Sequence, residues 1–190
     1  MNLPIYKIQL GDTLGIQKMS LVEWPAVESD FLKFSNDKIS LKFSIDEDKR
    51  IVFGVALRAD YPIYRISPGI GEYYVVFEAD TIKQLYEKFM IEGKTSQVNL
   101  EHTTDTTGVY LIQSFLKDVD NGINPKGFED IEDGSWFVAY KVENDEVWNR
   151  VKSGEFRGFS VEGFFELEKT KEPTVSELEA LIDDLINEIN

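Results

Sequence analysis

The run Ile51-Val52-Phe53-Gly54-Val55-Ala56-Leu57 is almost entirely apolar. A strand that is apolar on both sides of its pleat needs cover on both faces, so this run is predicted to be a central strand. Short extended segments surround it. Ile5 to Leu10 alternates weakly, and Ile16 to Trp24 is extended until Pro25 stops it. Lys38 to Asp46 alternates Ile39, Leu41, Phe43 and Ile45 with polar residues, the pattern of a half-buried strand. Asp46-Glu47-Asp48-Lys49-Arg50 reads as a solvated hairpin tip rather than a metal loop.

Further extended segments are Tyr61 to Arg65, Tyr73 to Glu78, Val98 to Leu100, Val109 to Leu116 and Ser135 to Val142. Two helices interrupt them. One is predicted from an N-cap at Asp80, with Ile82, Leu85, Tyr86 and Phe89 on one face and Gly93 at its end. The other runs from Asn144 through Val147, Trp148 and Val151 to Gly154. Between Asp118 and Asp133 lies a Gly/Pro/Asp loop long enough to suggest function or mobility. Past Lys169, Pro173-Thr174-Val175-Ser176-Glu177 is a capping box opening an amphipathic acidic helix. The expected fold is α+β and mostly β, with residues 1–169 as one domain and 170–190 as a helical tail suited to self-association.

Composition narrows the function. The formal net charge of −15 opposes binding to phosphate backbones and to anionic membranes. Without cysteine, disulfides, thiolate metal sites and a cysteine nucleophile are excluded. No apolar run is long enough to span a bilayer, and the N-terminus does not read as a signal peptide, which leads to the expectation of a cytoplasmic protein.

Chemistry concentrates in Arg157-Gly158-Phe159-Ser160-Val161-Glu162-Gly163-Phe164-Phe165. As a strand it places Ser160, Glu162 and Phe164 on one face. Gly158 and Gly163 allow another backbone or a substrate close approach. Most strand serines only pack, but a serine beside a base is a nucleophile. His102, the single histidine, follows a short strand and is the one candidate imidazole base; alone it builds no His-pair metal site. Glu162, Asp105 and Glu101 are candidate acids to orient it. Backbone amides near Gly158 and Gly163, helped by Arg157, are candidate oxyanion donors. Gly-Phe-Ser-Val-Glu-Gly is one residue longer than a nucleophile elbow, and the helix–strand alternation of an α/β-hydrolase is absent.

These residues, taken together, resemble the XkdF-like phage serine proteases, a branch of the prohead (capsid maturation) proteases. The resemblance rests on Met19-Ser20-Leu21-Val22 with Pro25-Ala26, Arg50-Ile51-Val52 through Leu57, Ile63-Tyr64-Arg65 and Val98-Asn99-Leu100-Glu101-His102. It continues through Gly134-Ser135-Trp136, Tyr140-Lys141-Val142, Asp145-Glu146-Val147-Trp148 and Lys152 to Phe164, in order along the chain. It implies an assemblin-like β-barrel core flanked by helices, with His102 as base and Ser160 as nucleophile. It further implies an endopeptidase acting inside the assembling procapsid in the host cytoplasm, on scaffold and major capsid proteins and on itself. Related prohead proteases carry a Glu-x-Ser-Leu-Val segment after the serine. Here its counterpart stands near the N-terminus as if permuted, with Lys18 and Met19 where the acid would be. Many relatives also have an acid directly after the histidine, where this chain has Thr103.

The expected reaction is acyl transfer by Ser160 with His102 as base and Glu162 orienting it, without metal or cofactor. The alternatives are an inactive capsid-assembly component that keeps the fold and binds coat protein through its acidic tail, and a host binding domain.

Overall fold

The computed structural model describes residues 3–9, 15–23, 44–47 and 49–170. Three four-stranded sheets dominate it. In chain order the strands are β1 (Ile5–Gln9), β2 (Gly15–Val22), β3 (Ser44–Asp46), β4 (Ile51–Leu57), β5 (Ile63–Ser67) and β6 (Gly71–Val76). They continue with β7 (Val98–Leu100), β8 (Thr104–Asp105), β9 (Val109–Leu116), β10 (Trp136–Val142), β11 (Gly158–Phe164) and β12 (Glu166–Lys169). Helix α1 (Ala79–Ile91) precedes β7, and α2 (Asp145–Lys152) precedes β11.

The apolar run Ile51–Leu57 is an inner strand of the sheet ordered β3-β4-β10-β9, and it pairs antiparallel with Trp136–Lys141. Trp136 and Val138 are fully buried there, and Tyr140 nearly so. Helix α1 lays Ile82, Leu85 and Phe89 on this core. Its Tyr86 and Phe89 rings meet the Trp136 indole edge-on at 5.7 and 5.4 Å. Burial of such side chains stabilises by about 1.5–3 kcal/mol each, which gives α1 its main reason to stay docked. Glu78, not Asp80, is the N-cap of α1, and its side chain makes no capping bond. Asp80 sits in the first turn, where a carboxylate complements the helix dipole. Asn144 does cap α2, accepting from the amides of Glu146 and Val147.

The long loop after β9 is folded onto the body. Phe128 and Ile131 pack with Val55 and Phe137 into a second, smaller core. The buried Lys117 ammonium donates to the carbonyls of Phe128, Glu129 and Ile131. Arg58 clamps Glu132 with two bonds, from Nε at 2.5 Å and from a terminal nitrogen at 2.7 Å. A charge can be buried this deeply only where polar atoms replace its water.

The architecture is α+β and mostly β, and among the described residues none of the three sheets closes into a barrel. Strand β11 packs beside β4 without a ladder between them. Ala56 and Leu57 of β4 and Phe159 to Phe164 of β11 line one cleft. The predicted helix after Pro173, the part of the predicted Lys38–Asp46 strand before Ser44 and the turn after Leu10 lie outside the described residues.

Candidate active site

The sheet ordered β11-β2-β7-β8 builds the site. Strand β2 lies at its heart, antiparallel to β11 and parallel to β7. Ser20 is thereby opposite Ser160 on one side and Asn99 on the other. Residues opposed in this way share a face of the sheet. Lys18 is likewise opposite Glu162, so the two serines, Asn99 and Glu162 converge on one surface.

Close approach of the strands requires Gly163. A side chain there would put its Cβ 2.3 Å from the Gly15 carbonyl oxygen and 2.9 Å from Ile16 Cα. The β2–β11 register shifts at this point, between Glu162 and Gly163. A bulge of this kind re-aims the residues beside it.

His102 arrives on the turn between β7 and β8. Thr103 N donates to Leu100 O at 3.0 Å, and Glu101 and His102 have φ of 52° and 56°. Left-handed backbone at both central positions is the pattern of a type I′ hairpin, which Asn-Gly normally satisfies. For residues with side chains it costs on the order of 1–3 kcal/mol each. Strand β2 holds the turn in place: Glu101 N donates to Leu21 O at 3.1 Å, and the Glu101 carboxylate accepts from Glu23 N at 2.6 Å.

The turn delivers the imidazole to the sheet. His102 Nδ1 lies 2.9 Å from Ser20 Oγ and 3.6 Å from Glu162 Oε2. Ser20 Oγ donates to Asn99 Oδ1 at 2.5 Å, and Asn99 Nδ2 donates to Glu162 Oε2 at 2.9 Å. Ser20 and Asn99 are 0% and 2% exposed, whereas the side chains of His102 and Glu162 are about two-fifths exposed. The ring thus has a dry end on β2 and β7 and a wet end facing outward.

Ser160 is buried on the edge strand, and among the described residues its hydroxyl carries no hydrogen bond. His102, Ser160 and Glu162 all line one cleft of about 460 Å³. Most of the wall is apolar, from Ile63, Tyr73, Phe77, Phe159 and Phe165 among others, and Arg65 supplies its cation.

Of the three candidate acids, Glu162 is the one facing His102. Asp105 is bound to Lys18 at 2.5 Å, and Glu101 anchors the turn. Arg157 is exposed, donates from Nε to Gly154 O at 3.1 Å, and does not line the cleft. Ser20 and Asn99 were missed as site residues, although both stand in segments that carry the resemblance. Their signal was two small polar residues inside otherwise apolar strands, which a β2–β7 pairing turns into one cluster. Among the described residues no group of three or more His, Asp or Glu side chains is arranged to hold a metal ion.

The family described as "Putative phage serine protease XkdF" matches residues 38–169. "Uncharacterized protein YqbD" of Bacillus subtilis (strain 168) is 23% identical over 177 residues, which is 93% of this chain and 49% of that protein. The chain therefore spans about half the length of that curated relative. No solved structure matches. With well over half of its residues matched, the chain belongs to the family described as "Putative phage serine protease XkdF".

Proposed function

We propose that the protein is a prohead maturation endopeptidase that cleaves phage scaffold and major capsid proteins, and itself, inside the assembling procapsid in the host cytoplasm. One observation carries this reading: the imidazole, the edge-strand serine and the carboxylate line a single cleft, with Glu162 at 3.6 Å from His102 Nδ1. In the proposed reaction Ser160 Oγ attacks the scissile carbonyl carbon and gives its proton to His102. The tetrahedral intermediate collapses, the C–N bond breaks, and the leaving amine takes that proton from the imidazolium. Water then attacks the ester carbonyl and gives a proton to His102; as the ester C–Oγ bond breaks, Ser160 Oγ takes that proton back and the acid product leaves, regenerating the enzyme. Glu162, 3.6 Å from His102 Nδ1, is the proposed carboxylate that orients the imidazole. The amide at the Gly163 bulge, which lines the cleft, is the proposed oxyanion donor.

Ser160 is preferred to Ser20 as nucleophile on accessibility. Ser20 is fully buried on an inner strand and its hydrogen is committed to Asn99. Ser160 opens onto the cleft from an edge strand. The apolar lining suits a substrate with a large apolar side chain next to the scissile bond, since an unpaired charge there would lose its hydration. The core is proposed to be an assemblin-like barrel opened between β11 and β4, which lie side by side without a ladder.

Co-expression with the phage coat and scaffold proteins tests the proposal. Processed fragments are expected with the native chain and lost in both Ser160→Ala and His102→Ala; unchanged processing by Ser160→Ala contradicts it. A second reading, an inactive assembly component, draws on the missing Ser160–His102 bond. It predicts that truncation before Pro173 abolishes coat-protein binding and that a supplied peptide is never cleaved.

A further inference from the structure

We infer that Ser20 and Asn99 are positioning residues that fix the His102 tautomer, leaving Nε2 as the basic nitrogen. The inference builds on the serine-protease reading of the same site, but its main readout does not need activity.

The argument starts from the one group with no proton to give. As a carboxylate, Glu162 can only accept hydrogen bonds, so the Asn99 atom at 2.9 Å from Glu162 Oε2 must be the amide nitrogen. That fixes the orientation of the Asn99 amide, and its oxygen therefore faces Ser20. An amide oxygen also only accepts, so the Ser20 hydroxyl must donate to it. The hydroxyl has one hydrogen. What it offers to His102 Nδ1, at 2.9 Å, is a lone pair. Nδ1 must then carry hydrogen, and the neutral ring's lone pair lies on Nε2.

Polarity thus passes from Glu162 through Asn99 and Ser20 to the imidazole, each step forced by the one before it. Burial enforces the pattern. Ser20 and Asn99 are almost inaccessible to water, and an unpartnered polar group there costs about 1–3 kcal/mol. The reversed tautomer would set a bare Nδ1 lone pair against the Ser20 lone pairs and the Glu162 carboxylate. The arrangement performs the tautomer-setting task usually given to an acid bonded directly to Nδ1, while Glu162 acts from 3.6 Å.

The single histidine makes the test unambiguous. Protein labelled with 15N at histidine is examined by two-bond 1H–15N correlation at a pH where the ring is neutral. The expected spectrum is that of an Nδ1–H imidazole. In Ser20→Ala, and independently in the isosteric and partly exposed Glu162→Gln, the signal should move toward the Nε2–H form that free imidazole prefers. Ser20→Ala should also lower kcat on the order of 10- to 100-fold with little change in KM. An Nε2–H signal in the native protein overturns the inference, as does an Nδ1–H signal that survives in both variants. If the tautomer switches as expected but no variant, nor the native chain, ever cleaves, the inference stands and the protease reading fails.

Discussion

Ser20 and Ser160 are Cα partners across the β2–β11 ladder, and the imidazole of His102 is bonded to the buried one, not to the one that opens onto the cleft. A division of labour follows from that asymmetry. In the proposed mechanism Ser20, on an inner strand, orients the base, and Ser160, on the edge strand with a hydroxyl that makes no hydrogen bond among the described residues, meets the substrate.

Glu162 sets charge as well as polarity at the site. Glu162→Gln is expected to reduce kcat about 10²-fold, a smaller loss than His102→Ala, because the base survives and only its orientation and charge support are weakened. Steady-state kinetics on a cleaved peptide, with KM and kcat separated, check this.

Gly163 is where the backbones of β2 and β11 touch. Gly163→Ala forces a Cβ against the Gly15 carbonyl and should destabilise the fold by roughly 1–3 kcal/mol, with loss of activity beyond the loss of folded protein. Chemical denaturation gives the first quantity and active-site titration the second.

Lys117 holds the loop after β9. Replacing it with Met removes the donors to three carbonyls, and each charged hydrogen bond is worth about 1.5–3 kcal/mol. Faster amide exchange confined to residues 118–134, with slower change in β4 and β10, is the expected pattern.

Tyr140 has its hydroxyl buried without a partner among the described residues, and burial pushes the phenol well above its ordinary value. The folded state therefore binds this proton more tightly than the unfolded chain. Its contribution is fully present below the unfolded phenol's pKa of about 10 and is lost as pH rises beyond it. Tyr140→Phe should raise stability by about 1 kcal/mol at neutral pH and remove part of the alkaline sensitivity. Thermal melts at neutral and alkaline pH test both.

Periodicity alone made much of this legible. The apolar run Ile51–Leu57 found the centre of its sheet, and Asn144 and Gly154 marked the ends of α2. Gly163 read as a point of backbone contact, which it is. What could not be read was pairing across long sequence separations. Nothing local to Ser20 or Asn99 says that a parallel β2–β7 pair joins them across 79 positions. The left-handed turn at Glu101-His102 was equally hidden, because neither residue type prefers it and tertiary bonds from β2 impose it. Asp80 failed as a cap because the helix starts two residues earlier than that reading requires, at Ala79. The loop from Asp118 to Asp133 looked mobile because its anchors, Arg58 and Lys117, stand outside it.

A mechanism-based label reads the nucleophile directly. Treated with a fluorophosphonate, the native protein is expected to gain one adduct, which peptide mass spectrometry places on Ser160. Neither Ser160→Ala nor His102→Ala should acquire it. An adduct on Ser20, or labelling that persists in Ser160→Ala, would contradict the account.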